Sequence, residues 1–568
     1  MFAKILIANR GEIAVRVART CAELGVATVG VYSDVDARAR HVAAAGEAVH
    51  LPGVAPAETY LNVAAIIEAA RSREAEAIHP GYGFLSERAD AAETVTAAGL
   101  VWIGPPPDAL RAAGDKVRAR RLARSAGVSV VPGTVDPVSG IEEVQAFGES
   151  HGYPIAIKAA GGGGGRGLKV ARSAGEVGAA FESAVREAQA WFGSGEVYLE
   201  RYLPGPKHVE VQVLATAPGR AVWLGARDCS LQRRHQKLVE ETPPPLFAAM
   251  VPEMGEAAVR VADACGYVNA GTVEFLVDPD APEATRDRAP FYFLEMNARL
   301  QVEHTITEEV LGLDLVAAQL RIAAGEGFDA GSLEPRGHAI ECRINAENPA
   351  RGFLPGPGRI TRYREPAGPG IRVDSGFGEG DEVPSAYDSL VAKLVAWGAT
   401  REESRRRMLR ALDEFVIEGI PTTIPAHKLL LEDPAFVEGT YSTVTLEGGV
   451  LDPLRANAAP VAPPEPDVLV VEGAPVRLWH PAIAGSIRSA RSGRASAQPG
   501  RVVAPMHGTI LAVLVSVGDV IESGDPVATL EAMKMETRVV APAGGVVKEV
   551  LAGPGDVVEA GQAVAVIE

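Results

Sequence analysis

Lysine is scarce in this chain. Of 55 basic residues in 568, only ten are lysine, at positions 4, 116, 158, 169, 207, 237, 393, 428, 534 and 548. Arginine is the default cation, so a retained lysine marks places where a compact ammonium or a modifiable amine is wanted. Positions 116, 158, 237 and 534 fall inside motif-like stretches. Cysteine is also rare: Cys21, Cys229, Cys265 and Cys342 lie far apart with no C-x-x-C pair. That spacing excludes a disulfide framework and a zinc site, and predicts free thiols in a reducing cytosol. No run reaches the roughly 18 apolar residues of a membrane span, so a soluble protein with no membrane partner is expected. Basic charge is outweighed, giving a net charge of -18. This argues against a nucleic-acid surface, and any anion must be held by a local site. The first residues run straight into a strand pattern without the layout of a signal or transit segment, so a cytoplasmic chain starting at Met1 is expected.

What is present is ample apolar material, 47% of the residues, and a length that suggests about three or four domains. Lys4 to Ala8, a helix from Glu12, and Ala27 to Tyr32 form a βαβ signal of a parallel sheet, continuing to about 113. Mixed patterns follow over 114–333, with a glycine run at 161–167, and an α+β segment occupies 334–447. Residues 448–500 contain two Pro/Ala/Ser/Gly-rich linkers around Val468-Leu-Val-Val-Glu-Gly, which reads as a short hairpin or packed strand. Residues 501–568 contain a repeat: Ala504-Pro505, Gly508, Gly518-Asp-Val520 and Gly524 recur 37 residues later. Two such copies of short Val/Ile strands make a small β-sandwich or flattened barrel, with Glu531-Ala-Met-Lys-Met-Glu536 as the tight connection between them. A solvated turn would not select two methionines around Lys534.

The stretch Phe293-Leu-Glu-Met-Asn-Ala-Arg-Leu-Gln-Val-Glu-His304 alternates apolar and polar side chains. As one β-strand it would put Glu295, Asn297, Arg299, Gln301 and Glu303 on one face, and Leu294, Met296, Ala298, Leu300 and Val302 on the other. A half-buried strand with a wet face has this pattern. A strand lining a cleft has it too, and carboxylates, amides and a guanidinium in one row suit metals and anions. Thr272-Val-Glu-Phe-Leu276 reads as a neighbouring strand that adds Glu274. After the apolar strand Pro154-Ile-Ala-Ile157, Lys158-Ala-Ala-Gly-Gly-Gly-Gly-Gly-Arg-Gly167 is either a flexible linker or a loop whose backbone N–H groups approach phosphates. It is no Walker A loop, because no Gly-Lys-[Ser/Thr] closes it.

Ala532-Met-Lys-Met535 on a duplicated Gly-Asp-Val scaffold resembles the biotin carrier domain, and residues 1–446 resemble biotin carboxylase over their full length. The whole is similar to the α subunit of bacterial acyl-CoA carboxylases. Lipoyl domains share the carrier fold but typically set their lysine in Asp-Lys-Ala. The resemblance implies a multidomain α/β and α+β chain: an ATP-grasp biotin carboxylase with a Rossmann-like N-terminal domain, then a small all-β biotinyl/lipoyl-type flattened barrel. It implies biotin on Lys534, attached by a biotin protein ligase. ATP would be held by Lys116, Lys158, the lid glycines Gly163, Gly164 and Gly165, and Glu200, Leu203, His208, Gln232 and His235. Mg²⁺ or Mn²⁺ would be bound by Glu274, Glu295 and Asn297. Lys237, Arg299, Gln301 and the backbone of Val302 would hold bicarbonate, Glu303 would deprotonate it, and Arg343 would stabilise the biotin enolate oxygen. Tyr387-Asp-Ser389 and Lys393 would support the site. The row 295–303 then reads as a track with metal at one end, bicarbonate in the middle and base at the far end.

By the same resemblance, bicarbonate attacks the γ-phosphate of ATP, and the carboxyphosphate formed delivers CO2 to the deprotonated ureido nitrogen of biotin. No segment resembles a carboxyltransferase, so a separate β subunit, working on acetyl-CoA or propionyl-CoA, and a homo-oligomer within an αβ assembly are implied. The chain departs from the family at Thr305, where Pro is more frequent, and at Thr242-Pro-Pro-Pro245; local loop changes are expected there. The carrier lacks a protruding thumb, and about 50 residues between the two recognised regions are too few for a full partner-docking domain. Three rivals are a different ATP-grasp ligase, which has no use for Lys534, a carrier scaffold of another class with an inactive carboxylase half, and a lipoyl carrier.

Overall fold

The computed structural model describes residues 1–134, 136–159, 168–192, 195–233, 236–281, 284–285, 287–328, 333–456, 468–471, 474–477, 500–505, 508–532, 535–558 and 561–568. By compactness the chain divides into two units. One comprises Met1–Asn345, Ile360–Asp381 and Leu390–Pro453, and the other Ala346–Arg359, Glu382–Ser389 and Leu454–Glu568.

In the first unit β1 (Lys4–Ile7), α1 (Gly11–Glu23) and β2 (Ala27–Tyr32) form the expected βαβ start. With β3 (Glu47–His50), β4 (Ala77–His79) and β5 (Val101–Trp102) they make a five-stranded sheet of order β3-β2-β1-β4-β5, every pair parallel. Central strands of a parallel sheet are covered on both faces, and Ile5, Leu6, Ile7, Val29 and Val31 are accordingly buried. The strands β6 (Ile155–Ala159), β7 (Leu168–Ala171) and β8 (Val197–Arg201) form a small antiparallel sheet.

An antiparallel eight-stranded sheet dominates this unit. Its strands are β9 (Lys207–Ala215), β10 (Ala221–Arg233), β11 (Gln236–Thr242), β12 (Asn269–Val277), β13 (Phe291–Asn297), β14 (His338–Asn345), β15 (Ile371–Ser375) and β16 (Leu390–Gly398). Their order is β13-β12-β9-β10-β11-β14-β16-β15. Helix α2 (His304–Leu311) packs against β14. A continuous apolar cluster joins Ile5, Ile13 and Val17 of the parallel sheet and α1 to Leu214 of β9 and Leu300, so the two sheets share a core.

In the second unit Val468–Val471 pairs antiparallel with Ala474–Arg477, the hairpin rather than the packed strand of the two forms expected. Beyond it lie two four-stranded antiparallel sheets. One runs Arg501–Val503, Ala563–Ile567, Gly545–Val550, Val520–Ile521; the other runs Met535–Val540, Pro526–Ala532, Gly508–Val513, Val557–Val558. Moving along the chain by the repeat length of 37 residues converts one order into the other, so each copy contributes strands to both sheets. Their shared core is aliphatic, with Ile510, Val527, Leu530, Val547 and Val564 fully or almost fully buried. Strands Pro526–Ala532 and Met535–Val540 pair with Ala532 opposite Met535; Met533 and Lys534 lie outside the described residues. The four cysteines are buried and free. Among the described residues no helix is long and apolar enough to cross a membrane.

Candidate active site

Strand β11 carries Lys237 to the middle of the large sheet. Its ammonium lies 2.6 Å from Glu210 Oε2, 2.6 Å from Glu303 Oε1 and 3.1 Å from Glu274 Oε1. Burying one ammonium without partners costs several kcal/mol, and three carboxylates without a cation would repel one another. Each therefore depends on the other. Burial alone would lower the Lys237 pKa, but the surrounding anions, Glu210, Glu274 and Glu303 among them, hold it well above the usual lysine range.

Glu303 has a second cation on its other oxygen: Arg343 Nη2 donates to Oε2 at 2.8 Å, while Arg343 Nε donates to Glu240 Oε1 at 2.6 Å. Burial would raise the Glu303 pKa, yet Lys237, Arg343 and Arg227 overrule it and keep the carboxylate well below its ordinary range. Arg227 is fully buried and donates to Glu210 Oε1 at 2.5 Å and to Gln212 and Thr307, both at 2.8 Å. His208 on β9 approaches Glu274 Oε2 at 3.0 Å, and Gln232 lies 3.5 Å from its Nδ1.

The alternating row differs from its expected form. Strand β13 ends at Asn297, and residues 298–303 leave the sheet before α2 begins. The register with β12 slips between Glu274/Glu295 and Phe275/Phe293, which makes Leu294 the extra residue of a bulge. A bulged residue loses its place on the apolar face, and Leu294 is accordingly 36% exposed. The wet face is lost in part as well, since Asn297, Gln301 and Glu303 are buried like Met296, Ala298 and Leu300, while Glu295 and Arg299 stay half-buried. Once the chain turns after Asn297, Glu303 meets Glu274 of the neighbouring strand on the same Lys237 ammonium.

The remaining candidates divide into two groups. Glu274 and Glu295 are register partners, Asn297 Nδ2 donates to Glu274 Oε1 at 2.8 Å, and Lys116 Nζ lies 3.2 Å from Glu295 Oε2. This set of hard oxygens on two adjacent strands fits Mg²⁺ or Mn²⁺. Arg299 donates to Gln301 Oε1 at 2.8 Å and to Asn297 Oδ1 at 3.3 Å, and its Nε lies 3.1 Å from Glu87. The Val302 carbonyl accepts from Lys393 Nζ at 3.0 Å. Lys158 and Glu200 form a separate ion pair on the small sheet, joined by Arg120, and Leu203 is buried beside it in sequence. Burial, Arg120 and Lys116 lower the Lys158 pKa to about 8. An incoming phosphate would replace carboxylates as the partner of both lysines, which fits ATP. Gly163, Gly164, Gly165 and His235, like Lys534, lie outside the described residues.

Sequence reading missed Glu210, Glu240, Arg227 and Glu87. The signal for Glu210 was its alternation with His208 and Gln212 along β9; for Glu240 it was an acid inside the apolar run of β11. Thr305 also needs correction. It sits in the first turn of α2 rather than in a loop, fully buried, and its hydroxyl donates to Glu341. The helix starts at His304, and both Glu303 and His304 are buried. Thr242 ends β11, and its hydroxyl donates to Ala226 O at 2.7 Å.

Comparison with known proteins places these features. Residues 1–110 match the family described as biotin carboxylase, N-terminal domain; 115–330 match carbamoyl-phosphate synthase L chain, ATP binding domain; 341–448 match biotin carboxylase C-terminal domain; and 500–567 match biotin-requiring enzyme. The chain is 46% identical over 565 residues to the biotin-dependent acyl-coenzyme A carboxylase alpha3 subunit of Mycobacterium leprae, covering 94% of this chain and 93% of that protein. It is 48% identical over 446 residues to a pyruvate carboxylase subunit of Methanothermobacter thermautotrophicus, covering 78% and 89%. Among solved structures, the biotin carboxylase domain dimer of Hydrogenobacter thermophilus 2-oxoglutarate carboxylase, in complex with MgADP, ADP and bicarbonate, is similar at 43% identity and a TM-score of 0.72, covering 80% of this chain and 99% of that one.

Proposed function

The chain belongs to the biotin carboxylase family and carries its own biotin-requiring domain, and from that premise we propose that it carboxylates biotin held on Lys534, using ATP and bicarbonate, for a separate acyl-CoA carboxyltransferase. The observation that carries the reading is the Lys237 ammonium shared by Glu210, Glu274 and Glu303, with Arg343 on the free oxygen of Glu303.

Glu274, Glu295 and Asn297 would hold Mg²⁺, which neutralises phosphate charge when bound. Lys116 and Lys158 take the phosphates of ATP as point charges. Arg299, Gln301 and Lys237 seat bicarbonate, the planar guanidinium matching a planar anion. Glu303 removes its proton while a bicarbonate oxygen attacks the γ-phosphorus, forming carboxyphosphate and ADP. Phosphoryl transfer of this kind needs charge neutralisation and positioning more than covalent help. With Lys237 and Arg343 both on it, Glu303 is a weak base. Substrate anions that draw Lys237 toward themselves remove one of these cations and raise its basicity. Lys534 would carry biotin, whose ureido nitrogen is the carboxyl acceptor. Arg343 then stabilises negative charge as that nitrogen is deprotonated.

The working division is 1–113, 114–333, 334–447, 448–500 and 501–568, with the last segment tethered so that it remains concentrated near both reaction partners. The acyl-CoA assignment rests on the mycobacterial relative, whose match includes the carrier. Relatives named for pyruvate and 2-oxoglutarate match the carboxylase part equally well, so that part does not select the acceptor. Acetyl-CoA or propionyl-CoA as acceptor, a carboxyltransferase β subunit, a biotin protein ligase, a homo-oligomer within the αβ assembly and a cytoplasmic location complete the proposal.

The test is ADP release by the purified chain with Mg²⁺ and bicarbonate, with and without free biotin, beside Glu303→Gln. Biotin-stimulated, bicarbonate-dependent release that falls roughly 10²- to 10⁴-fold in the variant is expected. Folded wild-type protein without turnover would refute the carboxylase reading. Adding a β subunit with acetyl-CoA or propionyl-CoA then identifies the acceptor.

A further inference from the structure

Beside Arg343 lie two carboxyl groups that the proposed reaction does not use. Glu240 on β11 and Glu341 on β14 are register partners of an antiparallel pair, and both are fully buried. Directly opposed side chains in such a pair stand about 5 Å apart at Cβ. Glu240 Oε1 takes both Nε and Nη2 of Arg343, at 2.6 and 2.5 Å, while Oε2 has no partner. Glu341 Oε2 accepts the Thr305 hydroxyl, while Oε1 has no partner. Each group thus has one bonded oxygen and one orphan oxygen. Two ionised carboxylates so placed repel each other, and each orphan adds the cost of an unsolvated acceptor.

The neighbours do not compensate for this. Glu210, Glu274, Glu303 and Glu240 each touch at least one cation among Arg227, Lys237 and Arg343. Glu341 touches only a hydroxyl. Lys393 on β16, the register partner of Arg343, acts on Glu341 through space, and its ammonium is held by the Val302 carbonyl and Glu12. Cys229 and Cys342 stay neutral because burial pushes both thiols well above their usual range.

We propose that Glu240 and Glu341 share one proton at neutral pH, and that this proton sets how Arg343 divides itself between Glu240 and Glu303. The second half rests on the reading of Glu303 as the base. Burial is the leading cause that pushes Glu240 up to about 8 and Glu341 up to about 7, with Glu341 and Glu303 raising Glu240 further and Glu303 raising Glu341. The titration belongs to the pair rather than to either residue. When the proton leaves, Glu240 gains negative charge, holds Arg343 more firmly, and leaves Glu303 with less of that cation and more basicity. Both glutamates are positioning residues. The Thr305 hydroxyl, by donating to Glu341, makes the ionised form of Glu341 easier to reach.

Infrared spectroscopy of the full chain with ¹³C-labelled glutamate, titrated from acid to alkaline pH, reads the proton directly. The expected result is a protonated-carboxyl stretch at neutral pH in the wild type that fades across about pH 7 to 8. It should be missing in Glu341→Gln, where Glu240 ionises freely against Arg343. The difference between the two spectra removes Glu12, another buried carboxyl held near 7. In turnover, kcat should rise across the same interval in the wild type and lose that rise in Glu341→Gln. Glu240→Gln should lower kcat roughly ten- to a hundredfold with the KM for ATP unchanged. Should Glu341→Gln fail to fold, Thr305→Val serves, with the band persisting to higher pH. No protonated band attributable to the pair at neutral pH overturns the proposal, and a Glu341→Gln profile superimposable on the wild type overturns the coupling to Arg343. Full turnover by Glu303→Gln would instead fail the reading of Glu303; the infrared signal, which needs no turnover, keeps the two failures distinct.

Discussion

The large sheet of the carboxylase and the two small sheets of the carrier both exclude water, with opposite contents. The first buries Lys207, Glu210, Arg227, Lys237, Glu240, Glu274 and Lys393. The second, among its described residues, buries no charged side chain, and its core is Val, Ile, Leu and Ala. Aliphatic packing stabilises a fold directly at about 25 cal/mol per Å² of surface removed from water. A buried ion pair at best offsets its own desolvation and is costly to break. The contrast teaches that the buried charges of the large sheet add little stability of their own, and that a core of ordinary packing must surround them. The small sheets of the biotin-requiring domain are held by aliphatic packing without such an arrangement.

The sharpest way to break the comparison is Lys237→Met. It removes the cation common to three carboxylates, so turnover should be lost and the carboxylase transition destabilised by about 3–5 kcal/mol, read by ADP release and thermal melting. If melting is unchanged, the carboxylates have another source of compensation. Leu530→Ala is the matching change in the carrier. It should cost about 2–5 kcal/mol there while leaving turnover on free biotin intact, as hydrogen exchange over residues 500–567 would show.

The pH dependence separates the two regions next. His338 and Arg401 overcome burial to lower Glu241 to about 2, and Arg372 and Lys393 do the same for Asp374, also to about 2. Folded values below the unfolded ones contribute stability above the ordinary carboxylate range, lost as pH falls toward about 2. Glu12 and Glu341, raised mainly by burial to about 7, have the opposite sign: their contribution is favourable at low pH and is lost as pH rises through about 7. Hydrogen exchange at several pH values should therefore show carboxylase stability falling on both sides and the carrier nearly flat. The smallest effects belong to the surfaces of both regions. Arg406→Ala, which breaks an exposed pair with Glu402, and Val520→Thr at an 80% exposed position should each stay within about 0.5 kcal/mol in melting.

Much of the frame was legible because periodicity and turn residues act locally. The βαβ start, the hairpin at Val468 and the 37-residue repeat all have that local origin. The neighbouring placement of Glu274 and Glu295 was also legible, since the two strands follow one another in the sequence. The alternation over 293–304 misled because an irregular chain can keep an alternating composition after its strand has ended. Only a bulge at Leu294 and a turn after Asn297 show where the pattern stops meaning a sheet.

By itself the sequence determined which groups were available: a chain poor in lysine with ammonium ions at 116, 158, 237 and 534, carboxylates at 274, 295 and 303, and a duplicated aliphatic scaffold. Tertiary structure alone decided that Lys237 would gather Glu210, Glu274 and Glu303, which lie 27, 37 and 66 residues from it, and that Glu240 would stand opposite Glu341. The physical reason is that periodicity specifies the side of its own strand a residue takes. Which charges share one water-free space, and so which of them keep their protons, depends on the order and register in which the strands assemble.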